Sequence, residues 1–478
     1  MKITYISAEC TPFIKVGGLA DVVGTLPQKV ADLGARVSVI LPLCEQILQK
    51  HKDDMKFLFY DFIKIGKRRE YCGALYLKRG DVDYYFLDNE HYFKRAGIYG
   101  YSDDAERFSF FAMAAIALLP RLGEMPDVIH FNDWQAAIGA TYLENFRKTD
   151  ERFSKISTVL NIHNIEFQGD FDHNTLQNIF GLSEEFYEVL DYNGRLNFLK
   201  GAICLCDKVV TVSENYANEI LVSEHSYGLH YILQENKHKL CGILNGIDTV
   251  KYDPAKDKKI VKNFSLENFS GKAVCKQHLQ AKLKLEISEK VPIFALVARL
   301  ERQKGVELLE NSLRKILQGN VQVVVLGSGN PYYEELFIQT ERENPGKMRT
   351  IIDFNEDLAH EIYAGADFFL MPSLSEPCGL AQMIAMRCAT IPLVRAVGGL
   401  AETVEPYKAT QKNGSGLTFK NFTSQDFEKT VNRALEIFNN KEDFVQIRKN
   451  AMNKDFSWEK SAKKYFEIYE KISEGLHE

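Results

Sequence analysis

Short apolar runs, each followed by a polar or glycine-containing loop and then by a helical pattern, recur throughout this chain. In the second half these runs are predicted strands, at Val291–Val297, Val321–Leu326, Thr350–Phe354, Phe368–Met371 and Ile391–Val394. Continuous apolar strands that alternate with helices are typical of parallel sheets covered on both faces. The first half repeats the arrangement, with predicted strands at 2–7, 36–41, 57–65, 71–78, 82–87, 127–131, 158–163 and 208–212. The alternation therefore predicts an α/β fold with two doubly wound halves.

Length and composition narrow the class of protein. A chain of 478 residues exceeds one typical domain, so we expect two. The hydrophobic content of 45% and the charged content of 26% are ordinary for a soluble enzyme. A net charge of -6 without a Lys/Arg block argues against a nucleic-acid partner, and no apolar run has transmembrane length. The start of the chain lacks the features of a signal peptide, and the nine scattered cysteines do not have zinc-site spacing. We therefore expect a cytoplasmic protein with buried free thiols and no membrane partner.

The domain boundary is predicted from a polar, Lys-rich segment at 251–290, which separates the two halves. The predicted domains are 1–245 and 246–455, followed by a C-terminal segment at 456–478. That segment is an amphipathic helical pattern with Trp458, Tyr465 and Ile468 on one face. Such large apolar side chains need cover, so this helix is expected to dock on a domain.

Glu376 lies in a tight loop between the strand at Phe368–Met371 and an apolar helix from Leu380 to Met386. A strand, a loop and a helix N-terminus form the usual anion site of an open α/β sheet. A carboxylate is wrong for phosphate alone, but it can bind the hydroxyl groups of a ligand whose phosphates lie at the helix end. A nucleotide-sugar fits that description.

Three cations are candidates for binding the phosphates. Lys15 precedes Gly17 and Gly18, where the backbone can approach a ligand closely, although an ordinary turn explains two glycines equally well. Arg299 and Lys304 lie in one loop and can neutralise a diphosphate leaving group without a metal. The alternative for this pair is a solvated surface loop.

Polar residues also follow several predicted strands of the first half. Asp133 follows the strand at 127–131, His163 ends the strand at 158–163, and Ser213, a predicted helix N-cap, follows 208–212. Carboxyl ends of parallel strands share one edge of a sheet, so these residues are predicted to line a ligand crevice. A single histidine after a strand is otherwise often structural.

Other features are interpreted structurally. Asp81 and Asp83 have the D-x-D spacing used by metal-dependent sugar transferases, but the adjacent Gly80 favours a hairpin turn. Pro27 is predicted to stand in the first turn of a helix. No G-x-S-x-G or H-E-x-x-H motif indicates a serine hydrolase or a zinc peptidase.

Five stretches together resemble a known family. They are Lys15-Val-Gly-Gly-Leu-Ala-Asp-Val, His130-Phe-Asn-Asp-Trp134, Asn161-Ile-His-Asn-Ile165, Arg299-Leu-Glu-Arg-Gln-Lys-Gly305 and Ser375-Glu-Pro-Cys-Gly-Leu380. On these motifs the chain resembles the bacterial glycogen synthases of the starch-synthase type. The resemblance implies a GT-B fold, in which two Rossmann-like domains face each other across a cleft and the final helix returns to the first domain. It also implies transfer of glucose from ADP-glucose to the non-reducing end of an α-1,4-glucan such as glycogen, with retention of configuration, no metal and no cofactor.

The resemblance also implies roles for individual residues. Lys15 would contact the diphosphate, with Gly17 and Gly18 allowing close approach, and Arg299 and Lys304 would neutralise its charge. Asp133 and His163 would meet the sugar, the histidine near its 6-hydroxyl or the reacting centre. Glu376 would bind the 3- and 4-hydroxyls of the sugar. The remaining substrate-binding positions that the family implies are Asn245, Phe354 as an aromatic on the adenine, Cys378, Gly379 and Leu380.

The sequence departs from the family pattern at a few positions, and two alternatives stay open. Val16 stands for a common Thr, and Ala381 stands for a Thr whose hydroxyl can bond a phosphate, a loss worth about 0.5–1.5 kcal/mol. Gln135 and Glu402 also differ from common forms. The alternatives are a retaining transferase that uses UDP-glucose, and a catalytically silent glucan-binding relative.

Overall fold

The computed structural model describes residues 1–123 and 125–475. The chain divides into two compact units. Unit 1 consists of Met1–Gly246 together with Trp458–Glu478, and unit 2 consists of Ile247–Ser457. The chain therefore leaves unit 1 once and returns to it.

Unit 1 is built on one large mixed sheet, ordered β12-β11-β7-β6-β1-β2-β5-β4-β3. From β12 to β5 all neighbours are parallel, whereas β5, β4 and β3 form antiparallel hairpins. The turns between these strands contain Gly66 and Gly80, with φ of 60° and 59°, and the turn at Gly80 was predicted from the sequence. A small second sheet is ordered β8-β10-β9. The strands of unit 1 are β1 Lys2–Ile6, β2 Arg36–Pro42, β3 Lys56–Ile65, β4 Arg68–Arg79, β5 Val82–Asp88, β6 Val128–Asn132, β7 Ser157–Ile162, β8 Asp170–Asp172, β9 Asp191–Tyr192, β10 Arg195–Asn197, β11 Lys208–Thr211 and β12 Leu240–Gly242.

The first helix of unit 1 corrects a prediction. It begins at Gly18 and ends at Ala31, so Pro27 lies inside it rather than in its first turn. A proline leaves the carbonyl four residues earlier without its helical donor, and here the Cys10 thiol donates to that Val23 oxygen at 3.4 Å. The helices of unit 1 are α1 Gly18–Ala31, α2 Glu45–His51, α3 Glu90–Phe93, α4 Asp104–Ala117, α5 Leu119–Leu122, α6 Asp133–Arg147, α7 Thr175–Asn178, α8 Tyr187–Leu190, α9 Phe198–Leu205, α10 Glu214–Glu219, α11 His230–Glu235 and, after unit 2, α20 Trp458–Glu474.

Unit 2 has a fully parallel sheet ordered β15-β14-β13-β16-β17-β18. The strands are β13 Ile293–Val297, β14 Gln322–Leu326, β15 Met348–Ile351, β16 Phe368–Met371, β17 Ile391–Arg395 and β18 Leu417–Phe419. The helices are α12 Ser270–Lys282, α13 Val306–Gln318, α14 Pro331–Glu343, α15 Glu356–Gly365, α16 Ala381–Arg387, α17 Gly398–Thr403, α18 Ser424–Asn439 and α19 Lys441–Met452. Counted within the unit, the strand order is 3-2-1-4-5-6, which is that of a Rossmann fold. Its topological switch point lies between β13 and β16.

The final helix, α20, packs on the sheet of unit 1 through buried tyrosines. The Tyr469 hydroxyl lies 2.7 Å from His130 Nδ1 and 2.9 Å from the Tyr5 hydroxyl. The Tyr465 hydroxyl accepts a hydrogen bond from Asn161 Nδ2 at 3.1 Å. The helix thus closes one face of the sheet with polar contacts as well as apolar ones. The end of the predicted segment, 476–478, lies outside the described residues.

The cysteines and the helices agree with most of the sequence predictions. All nine cysteines are free thiols, and seven of them are buried, whereas Cys204 and Cys241 are only partly buried. None of the helices within residues 1–123 and 125–475 combines the length and the apolar character needed to cross a bilayer.

Candidate functional site

The switch point of unit 2 holds a pocket of about 120 Å³. The loop after β13 and the loop after β16 form its walls, because the carboxyl ends of these adjacent parallel strands lie at the same edge. Of the residues predicted from sequence, Lys304, Glu376, Gly379 and Leu380 line this pocket together. Ser373 and Ala381 also line the pocket.

Glu376 and Lys304 form an ion pair at this pocket. Lys304 Nζ lies 2.8 Å from one Glu376 carboxylate oxygen and 3.0 Å from the other. The Ser373 hydroxyl donates a third hydrogen bond to the carboxylate at 3.1 Å. The Glu376 side chain is only 7% exposed, so the lysine and the hydroxyl compensate most of its desolvation. The acid and the cation of the site are therefore bound to each other.

The Glu376 loop is held from behind by a pair of glycines. The Gly399 N–H donates to the carbonyl oxygens of Glu376 and Pro377, both at 3.1 Å. A Cβ at Gly399 would lie 2.2 Å from the Cys378 oxygen, and a Cβ at Gly398 would lie 2.0 Å from the Glu376 oxygen. Only glycine fits at these two positions, so the second Gly-Gly motif positions the acidic loop.

The other predicted residues of unit 2 lie outside that cluster. The Arg299 side chain is 51% exposed and lies 3.4 Å from Glu301. Phe354 is 78% exposed and follows a strand that ends at Ile351, so the predicted strand at Thr350–Phe354 is shifted. Cys378 is buried outside the pocket, whereas its neighbour Gly379, which does line the pocket, has a φ of 70°, a conformation that glycine adopts without strain.

Unit 1 has a corresponding switch point between β1 and β6. The loop after β1 contains Lys15, whose Nζ lies 2.7 Å from the Asp21 carboxylate. Glu9, which sequence analysis missed, is buried and accepts backbone hydrogen bonds from Val16 at 2.6 Å and from Gly17 at 2.9 Å. Its signal in the sequence was an acid in the loop that follows the first strand. A Cβ at Gly17 or Gly18 would meet no atom within 4 Å, so this Gly-Gly pair faces open space.

Asp133 and His163 are in direct contact, as the shared sheet edge predicts. One Asp133 oxygen accepts the His163 backbone N–H at 2.7 Å. Burial raises the pKa of Asp133 to about 7, although two backbone N–H donors, from His163 and Asn164, oppose the rise. Burial lowers the pKa of the His163 imidazole to about 3, so the ring is neutral near pH 7. Asp133 has a φ of 54°. This backbone conformation is strained for most residues, but Asp and Asn tolerate it.

The remaining predicted positions are separate. Asn245 is buried, and its Oδ1 has no hydrogen-bond partner among the described residues. Asp83 accepts a hydrogen bond from the Tyr76 hydroxyl at 2.7 Å, and Asp81 accepts one from Gln28 at 3.3 Å. Ser213 caps its helix as predicted, with its hydroxyl accepting from the Tyr216 N–H. Across residues 1–123 and 125–475, no cluster of three or more His, Cys, Asp or Glu side chains is arranged to hold a metal ion.

Comparison with known proteins finds two family models on this chain. The model for the starch synthase catalytic domain matches residues 2–235, and the model for glycosyl transferases group 1 matches residues 279–453. The glycogen synthase of Lactococcus lactis subsp. lactis is 45% identical over 99% of this chain and 100% of that protein. The glycogen synthase of Desulforamulus reducens is 43% identical over 99% of each chain.

Solved structures with the same fold include a plant enzyme. The catalytic domain of starch synthase IV from Arabidopsis thaliana, bound to ADP and acarbose, superposes with a TM-score of 0.91 and 31% identity over 99% of each chain. A sucrose-phosphate synthase from Thermosynechococcus elongatus shares the fold alone, with a TM-score of 0.62 and 17% identity over 98% of each chain. The predicted GT-B fold is thereby confirmed.

Proposed function

This chain belongs to the bacterial glycogen synthase family of glycosyltransferases, and from that premise we propose that it transfers glucose from ADP-glucose to the non-reducing end of an α-1,4-glucan with retention of configuration. The observation that carries the proposal is the Lys304–Glu376 pair at the switch point of unit 2. A carboxylate for sugar hydroxyls and a cation for phosphate stand there side by side. The related starch synthase IV was solved with ADP and acarbose, which supports a donor with an adenine nucleotide and a glucan acceptor.

In the proposed donor complex the diphosphate shares Lys304 with Glu376. The lysine is a mobile point charge and can serve both groups at once. Arg299 supplies a second cation, and its exposed guanidinium is free to move because its contact with Glu301 is a weak surface pair. The Glu376 carboxylate keeps the hydrogen bond from the Ser373 hydroxyl and also accepts hydrogen bonds from the 3- and 4-hydroxyls of the sugar.

The proposed reaction needs no covalent nucleophile. The bond between the sugar C1 and the diphosphate oxygen breaks, and a bond forms from the acceptor 4-oxygen to C1 on the same face. The departing diphosphate takes the acceptor proton. Arg299 and Lys304 stabilise the negative charge that develops on the leaving oxygen. His163 and Asp133 contact the sugar, and Lys15 contacts the diphosphate.

The proposal also assigns roles to the other predicted positions and to the units. Residues 1–245 would provide the acceptor side, and residues 246–455 would bind the nucleotide-sugar. Phe354 would stack on the adenine, which agrees with its exposure. The substrate-binding set is completed by Gly17, Gly18, Asn245, Cys378, Gly379 and Leu380.

The deciding experiment is incubation of the purified protein with glycogen and labelled ADP-glucose, or labelled UDP-glucose in a parallel reaction. We expect label in the polymer with ADP-glucose. Incorporation from UDP-glucose alone would show that the donor is UDP-glucose and would overturn the proposed donor, ADP-glucose. Glucan binding without incorporation from either donor would support the silent relative and overturn the proposal.

A further inference from the structure

Asn132 is the last residue of β6 and lies beside the His163 ring. It is buried, with 1% of its surface exposed. Its side-chain nitrogen, Nδ2, donates to the backbone carbonyls of Ile6 at 3.3 Å and of His130 at 3.4 Å. Its side-chain oxygen, Oδ1, lies 3.0 Å from His163 Nε2. All groups of the amide are therefore engaged.

The two carbonyls determine the orientation of this amide. A carbonyl oxygen can only accept, so the nitrogen end of Asn132 must face Ile6 and His130. Its oxygen end must then face His163 Nε2, and an oxygen can bond that atom only if Nε2 carries the proton. A neutral imidazole has one N–H, so Nδ1 carries the lone pair.

The surroundings of the ring keep it neutral. Burial lowers the pKa of the His163 imidazole to about 3. Among the described residues, its titratable neighbours are Asp133, which accepts the His163 backbone N–H, and His130, which interacts with His163 and whose own pKa is lowered to about 3, chiefly by burial. No hydrogen bond to His163 Nδ1 occurs within the part of the chain that the structure describes. That nitrogen is therefore an acceptor that is left for a ligand.

We propose that Asn132 is a positioning residue that fixes His163 in the Nε2–H tautomer, so that Nδ1 accepts a hydrogen bond from a hydroxyl of the transferred sugar and rejects a carboxylate at that position. The inference rests on the proposed function, because it assumes that His163 faces the sugar. The inference also predicts the donor specificity: the site binds the neutral hexose of a donor and excludes the corresponding uronic acid. Two acceptors, a lone pair and a carboxylate oxygen, cannot bond each other.

A direct test is the ¹⁵N NMR spectrum of the protein with labelled histidine, in which His163→Gln assigns the resonances of the ring. The wild-type protein should show a protonated Nε2 and an unprotonated Nδ1 from pH 5 to pH 8. A protonated Nδ1 would overturn the proposal. This readout requires no activity, so it is separate from a failure of the proposed function, which would appear as absent incorporation by the wild-type protein.

The kinetic test uses two variants of Asn132. Asn132→Ala should release the ring and lower kcat/KM by roughly 10-fold to 10²-fold, with mixed tautomers in the spectrum. Asn132→Asp should keep the Nε2–H tautomer but raise the pKa of His163, because a carboxylate favours the imidazolium, so activity should fall at the acidic end of the pH profile. Unchanged kinetics and an unchanged tautomer in Asn132→Ala would overturn the positioning role.

Donor competition tests the specificity. ADP-glucuronic acid should inhibit the wild-type protein roughly 10²-fold more weakly than unlabelled ADP-glucose does. Equal inhibition by both compounds would contradict the acceptor role of Nδ1. This measurement uses wild-type protein alone, so it remains decisive if the Asn132 variants fail to fold.

Discussion

The substitution Asp133→Asn should make unit 1 more stable, relative to the wild type, as the pH rises. The pKa of Asp133 is about 7 instead of its usual 3.8, because the carboxyl is buried. Between these two values the folded chain holds a proton that the unfolded chain has lost. The wild-type free energy of unfolding therefore falls as the pH rises through this window. Above pH 7 the full loss of stability has been reached, because Asp133 is then ionised in the folded chain as well.

The size of the effect follows from the pKa shift. Three pKa units correspond to about 4 kcal/mol at about 1.4 kcal/mol each, which is an upper bound because the side chain is partly exposed. We expect about 2–4 kcal/mol. Asparagine keeps an oxygen for the His163 N–H and tolerates the positive φ of this position, so the substitution removes the titration without disturbing the backbone.

Tryptophan fluorescence is a suitable assay, because both tryptophans, Trp134 and Trp458, belong to unit 1. Urea unfolding is followed at pH 4.5, 6 and 8 for the wild type, for Asp133→Asn and for the exposed control Asp53→Asn. The advantage of Asp133→Asn over the wild type should grow by about 2–3 kcal/mol from pH 4.5 to pH 8, because about 1 kcal/mol of the effect is already present at pH 4.5, and the control should show no such trend. A difference that does not change with pH would refute the reasoning.

Three further predictions concern the site and the final helix. Gly399→Ala should abolish most activity, because the added Cβ would displace the Glu376 loop. Gly18→Ala, at the equivalent position of the first Gly-Gly motif, should keep the wild-type Tm in a thermal scan. A lower Tm for Gly18→Ala would contradict the open space around that residue. Lys304→Ala should lower kcat by roughly 10²-fold or more, whereas the exposed Lys315→Ala should not; near-wild-type turnover of Lys304→Ala would refute its role. Tyr469→Phe should lower the free energy of unfolding by about 1–3 kcal/mol in urea titrations, because it leaves a buried histidine nitrogen unpaired, and an unchanged midpoint would contradict this account.

Strand positions were predictable where both faces of a strand are buried. The run Phe368–Met371 is apolar throughout, and the observed strand β16 has the same bounds. The start of β15 was placed two residues and its end three residues too far along the chain, because Ile352 and Phe354 extend the apolar pattern beyond its last paired residue. The strand ends where its pairing with β14 ends, at Ile351. The apolar pattern of a single segment does not show where pairing with a neighbouring strand stops.

Most contacts between distant segments were not predictable, although the shared sheet edge did predict the proximity of Asp133 and His163. The sequence indicated an acid at 376 and a cation at 304, but not that they pair across 72 positions of chain. Two Gly-Gly motifs look alike in sequence, yet one faces open space and the other supports the acidic loop. Asn132 was part of a recognised motif without a role of its own. Its function depends on two backbone carbonyls from different strands, which only the folded chain brings together.

The return of the chain to unit 1 has a consequence for synthesis. A ribosome delivers residues 1–246 first, but α20 follows the whole of unit 2. Until Tyr465 and Tyr469 emerge, the sheet face that they cover, with His130 and Tyr5, stays open to water and to other nascent chains. Domains generally fold in the order in which they are made, yet here the second unit can fold before the first is complete. Unit 1 is therefore completed by α20, a helix that is made only after unit 2.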